Sequence, residues 1–141
     1  MRSKTPLALM GQVVMVLVFA LAAALCLQVF AVSNQVSRRN EAMDRAVLEA
    51  QNAAEAIKAA GNIHILQEAM GAQTTDGKLL TVCYDEYWNS SSAGTAYRLT
   101  VRETPSDIPG LCSAEITVDR GNGEAPLFSI TVAWQEVGGN G

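Results

Sequence analysis

The chain has 141 residues, 49% of them hydrophobic, with 10 Lys and Arg against 14 Asp and Glu and one histidine, for a net charge of −4. That length allows one modest domain with an appendage. Setting Arg2 and Lys4 aside leaves 8 basic residues against 14 acidic ones, a balance of −6 with no basic cluster beyond Arg38-Arg39; this sets nucleic acid aside as a partner, because phosphate neutralisation supplies most of such affinity.

In chain order, residues 1–6 form a short basic leader, and no charged residue occurs between Lys4 and Arg38. Leu7 to Val32 is almost wholly Leu, Ala, Val, Met and Phe, interrupted mainly by Gly11, Gln12, Cys26 and Gln28. As a helix this run spans roughly 39 Å, more than the ~30 Å hydrocarbon core of a bilayer. A cleaved secretory signal has an apolar stretch of only about 7 to 15 residues, so residues 7–32 read as a retained transmembrane helix in contact with membrane lipid. A lipid-modified cysteine needs a small residue before it, whereas Leu25 precedes Cys26; Cys26 reads as a small apolar side chain of the helix. The basic, export-signal-like start places the N-terminus in the cytoplasm and the bulk of a single-pass protein outside, with Arg38, Arg39 and Arg45 voting the other way.

Helical pattern continues through residues 33–60. Val36, Met43, Val47, Ala50, Ala54 and Ile57 recur at helical spacing, among Ala, Glu, Gln, Arg and Lys that favour helix. Two uses of that stripe stand open: a face packed on the chain's own domain, or a seam for other copies of the helix. Gly61-Asn62 supplies a stop, with Lys58 near the negative end of the helix dipole, and a second short helix is predicted at Ile63–Met70.

From the Asp76-Gly77 turn onward the period becomes alternating. Leu80, Val82, Tyr84 and Trp88 share one side, as do Tyr97, Leu99 and Val101; Cys112, Ala114, Ile116 and Val118; and Phe128, Ile130, Val132 and Trp134. Four strands apolar on one face describe an antiparallel meander, joined by turn-rich segments at 89–94, 104–110 and 120–126. The helix at 33–60 is the long amphipathic element that can cover the apolar face. The predicted fold is therefore α+β, a long N-terminal helix on a four-stranded antiparallel sheet spanning 61–137, with 138–141 as a flexible tail.

Cys83 and Cys112 are the candidate disulfide pair, since thiols outside the membrane oxidise readily. Strand alternation opposes it, because Cys112 shares the apolar face and Cys83 the other, so a bridge requires a bulge. His64, the single histidine, reads as a surface or packed residue rather than half of a catalytic pair. The sequence carries no zinc-protease, nucleophile-elbow or phosphate-loop motif and calls for no cofactor or metal. "YDEYWNSS" gathers Asp85, Glu86, Tyr87 and Trp88 at a strand end, which is either a contact surface for a cation or a sugar or an acidic, aromatic-rich terminus without a ligand. Asn89-Ser90-Ser91 matches the glycosylation sequon.

A basic leader, a long helix with an apolar first half and a small antiparallel sheet together resemble the type IV pilins and the pseudopilins of type II secretion. That family opens with a pattern like Gly-Phe-Thr-Leu-Ile-Glu, cut after the glycine. On "PLALMG", Pro6 takes the place of the glycine, Leu7 that of the phenylalanine and Gly11 that of the glutamate; a second register cuts after Gly11 and makes Gln12 the first residue, with Val16 in the glutamate's place. Neither register supplies the carboxylate that in the family balances a neighbouring amine within the membrane. The resemblance implies a non-enzymatic, minor pilin-like or pseudopilin-like subunit. Its implied partners are other such subunits, met through helix residues including Ala20, Ala22, Ala23 and Ala24, and an inner-membrane assembly platform. The alternative is a single-pass envelope protein that tethers a small binding domain, with "YDEYW" as its contact.

Overall fold

The computed structural model describes residues 5–92 and 95–136. Residues 1–4 of the leader and the expected tail at 138–141 lie outside them. Two compact units make up the chain, residues 1–40 and 41–141, and α1 (Thr5–Ala60) contributes residues to both.

Pro6 sits in the first turn of α1, where its missing N–H would have had no helical partner. Every described residue of the first unit is exposed, including Leu7, Met15, Phe19 and Phe30. The helix is long and apolar enough to cross a membrane.

In the second unit α1 buries Ala42, Ala46, Ala50, Ala53, Ala54 and Ile57. This corrects the expected stripe: Val36 and Met43 are 51% and 40% exposed. The buried face is turned about 50° from the expected one, half a residue's rotation. Alanines let the helix axis approach the sheet more closely than Val or Met would, and hydrophobicity alone underrates them. The helix stops as expected at Gly61, whose φ of 71° is left-handed and whose N–H donates to the Ile57 carbonyl at 2.8 Å. Asn62 Oδ1 then accepts from the Ile65 amide at 3.1 Å, so α2 is Ile65–Met70, and Ile63 is buried ahead of it.

The sheet has five strands, not four, in the order β1 (Gln73–Thr74), β2 (Leu79–Tyr84), β3 (Tyr97–Thr104), β4 (Leu111–Arg120), β5 (Phe128–Gln135), all neighbours antiparallel. The added strand β1 is two residues long and exposed, which leaves no alternation in the sequence to mark it. It covers part of the edge of β2 that β3 does not use, and Ser90 bridges to Tyr84 further along. The four long strands form the expected meander.

Ala46, Ala50, Ala53 and Ile57 from α1 and Leu66 from α2 meet Leu80, Val82, Leu99, Val101, Ile116, Val118 and Val132 in one core. Each fully buried Leu, Ile or Val contributes about 1.5–3 kcal/mol relative to exposure. The opposite face is polar: Thr81, Thr100, Thr117 and Ser129 stand in one cross-strand row, and Arg98 lies opposite both Cys83 and Asp119. Burial pushes the Asp119 carboxyl up, and Arg98 pulls it back. Such a sheet is built to meet water on one side.

Candidate functional site

Tyr84 closes β2, and the segment after it folds back through a turn that Asp85 holds. Asp85 Oδ1 accepts from the backbone amides of Tyr87 and Asn89, both at 2.9 Å, while the Asp85 amide donates to the Asn89 carbonyl at 2.9 Å. An aspartate that caps its own turn in this way is a structural device. Asp85 thus has a structural part in the predicted contact segment, whose Glu86 and Tyr87 are exposed, Tyr87 at 80%.

Trp88 takes φ of 63°, a left-handed conformation that bulky residues rarely adopt, and its amide donates to the Asp85 carbonyl at 3.1 Å. Its ring stacks on Tyr97 with centroids 4.1 Å apart and meets Tyr84 at 5.6 Å in a tilted arrangement. Tyr84 and Tyr97 are direct partners across β2 and β3, so Trp88 closes that end of the core over a cross-strand aromatic pair.

Glu49 of α1 reaches this cluster. Tyr84 Oη donates to Glu49 Oε2 at 3.2 Å, joining helix to sheet. Burial first, then the Glu49 charge and the hydrogen bond to it, push the Tyr84 phenol well above its ordinary range, so the hydroxyl stays protonated as a donor. Beside the pair lies a shallow depression of about 420 Å³ lined by Glu49, Met70, Gly71, Tyr84, Trp88 and Ser90. A depression lined by one carboxylate, an indole and a thioether suits a cation with an apolar shaft. Sequence reasoning found Tyr84 and Trp88 and missed Glu49, Met70 and Ser90. Glu49 is 35 residues from Tyr84 and has the look of a solvated helix glutamate, so no local signal marked it.

Other expected site residues fall elsewhere. Pro6, Leu7, Gly11 and Gln12 lie exposed in the first turns of α1. Cys83 and Cys112 are free thiols. Cys83 aligns through Arg98 with Asp119, seven residues from Cys112 along β4, or roughly 23 Å at the usual strand rise, and the two thiols lie on opposite faces. A disulfide between them is ruled out by register as well as by face. Partial burial, then Glu136 and Glu103, raise the Cys112 pKa and hold it as a thiol. His64 is exposed just ahead of α2, and Asn89 of the sequon is exposed in its turn. Among the described residues no three His, Cys, Asp or Glu gather where they could hold a metal ion.

Comparison with protein-family models, with curated proteins and with solved structures finds no match to this chain.

Proposed function

We propose that the chain is a membrane-anchored, pilin-like structural subunit, minor in its assembly, held by residues 7–32 with its N-terminus in the cytoplasm and its sheet unit outside. The observation that carries this reading is α1: its apolar first part is exposed on every side, while its later turns pack an alanine face on an antiparallel meander. An apolar surface of that extent needs lipid or other helices as its solvent. Ala20, Ala22, Ala23 and Ala24 add the small side chains that let helices approach closely in a bilayer.

Membranes of the natural host, washed with alkaline carbonate and then dissolved in mild detergent, test the proposal. The chain should stay with the washed membranes and then sediment as a complex larger than one copy. Release by carbonate, or sedimentation as a single copy, would contradict it. The mass of the mature N-terminus adds detail: a methylated Leu7 or Gln12 marks cleavage in one of the two registers. The depression beside Glu49 favours a second reading, a tethered binding domain, which predicts membrane retention without a larger complex.

A further inference from the structure

We infer that the depression bounded by Glu49, Tyr84, Trp88 and Met70 receives a basic side chain, lysine or arginine, from a partner polypeptide. Four observations converge on that chemistry. Glu49 is half-buried, and among the described residues Oε1 meets no hydrogen-bond or ion-pair partner, Oε2 alone accepting from Tyr84. Trp88 and Met70 line the same depression and offer an indole and a flexible thioether to a methylene shaft. Trp88 is held there in a left-handed backbone conformation, stacked on Tyr97 and tied to Asp85, so its ring is set in position before any ligand arrives.

The fourth observation is charge. All 14 acidic residues lie in the second unit, against Arg45, Lys58, Lys78, Arg98, Arg102 and Arg120, so that unit carries 6 minus 14, or −8. A field of that sign draws a cation toward the surface, and the Glu49 carboxylate fixes where it rests. A depression of about 420 Å³ that is open on one side suits the end of one long side chain presented by a larger molecule. The inference goes beyond the structural role proposed above and holds for either reading of it.

The test uses the isotope-labelled full chain in detergent micelles, with the Trp88 and Trp134 indole N–H resonances as reporters. The probe is N-acetyl-lysine amide, compared with N-acetyl-norleucine amide, which lacks the charge, and with methylammonium, which lacks the shaft. Saturable movement of the Trp88 resonance with the lysine probe is expected, with Trp134 unmoved. Norleucine amide should not saturate, methylammonium should bind several-fold more weakly, and Glu49→Gln should weaken the lysine probe roughly three- to tenfold. The amide oxygen introduced by that substitution can still accept from Tyr84, and an unchanged Trp134 resonance will show the variant folded. No movement of Trp88, equal movement with norleucine amide, binding of methylammonium as tight as the lysine probe, or full binding by Glu49→Gln would each overturn the inference.

Discussion

Tyr84 places a hydroxyl at the edge of a largely aliphatic core, and the Glu49 carboxylate accepts from it. Tyr84→Phe keeps the ring and removes that bond, and should cost about 0.5–1.5 kcal/mol in urea unfolding at neutral pH. Because the folded state raises the Tyr84 pKa above its ordinary value near 10, the stabilisation is full below that pH and is lost as pH rises and the unfolded chain releases its proton first. The stability difference between native protein and Tyr84→Phe should therefore shrink above about pH 10. An unchanged gap at pH 11 would deny the linkage. Gly121 is a second point of tight design: a Cβ there would overlap the Thr95 backbone oxygen and lie 2.9 Å from its Cγ2, while the Gly121 amide donates to the Ala96 carbonyl at 3.1 Å. Gly121→Ala should destabilise by about 1–3 kcal/mol, read from the shift in urea midpoint. Neither contact was legible in the sequence, since each joins segments distant along the chain and depends on the final packing.

At the scale of elements, strand alternation was the clearest signal. Leu80, Val82, Leu99, Val101, Ile116, Val118, Val132 and Trp134 all fall on the face that alternation assigned, because one wet and one buried face impose a period of two on every long strand. The strand β1 leaves no such signal, because two exposed residues carry no period. The helix stripe is legible in the sequence, but the buried face lies about 50° from the one its large side chains mark, because alanines make the contact. Ala50 is fully buried where α1 meets the sheet, so Ala50→Leu should cost about 1–3 kcal/mol, while Met43→Ala at its exposed position should change stability by less than about 0.5 kcal/mol. Equal effects of the two substitutions would restore the original stripe.

For the whole molecule, charge and apolar character are partitioned between the two units. Arg2, Lys4, Arg38 and Arg39 flank an uncharged run in the first, and every carboxylate side chain belongs to the second. That division was readable from sequence as a membrane-length helix ahead of an acidic domain. What the sequence did not reveal was where the helix begins to serve the core: the first buried position is Ala42, beyond the arginine pair, and not the region of Val36. Residues 41–141 expressed alone should therefore unfold cooperatively in denaturant. A gradual, non-cooperative loss of structure would mean that the earlier turns are needed. The central claim, that the apolar part of α1 packs against other pilin-like subunits within a membrane, is tested most directly by site-specific crosslinking in native membranes. Single cysteines at each position from 20 to 26, in a chain whose natural cysteines are replaced by serine, each carrying a thiol-linked photoactivatable crosslinker, sample every face of the helix. Crosslinking to a neighbouring subunit should rise and fall with a spacing of about three to four residues, as one helix face meets its neighbour. Protein crosslinks at background level for every position would contradict the claim and leave a solitary anchor.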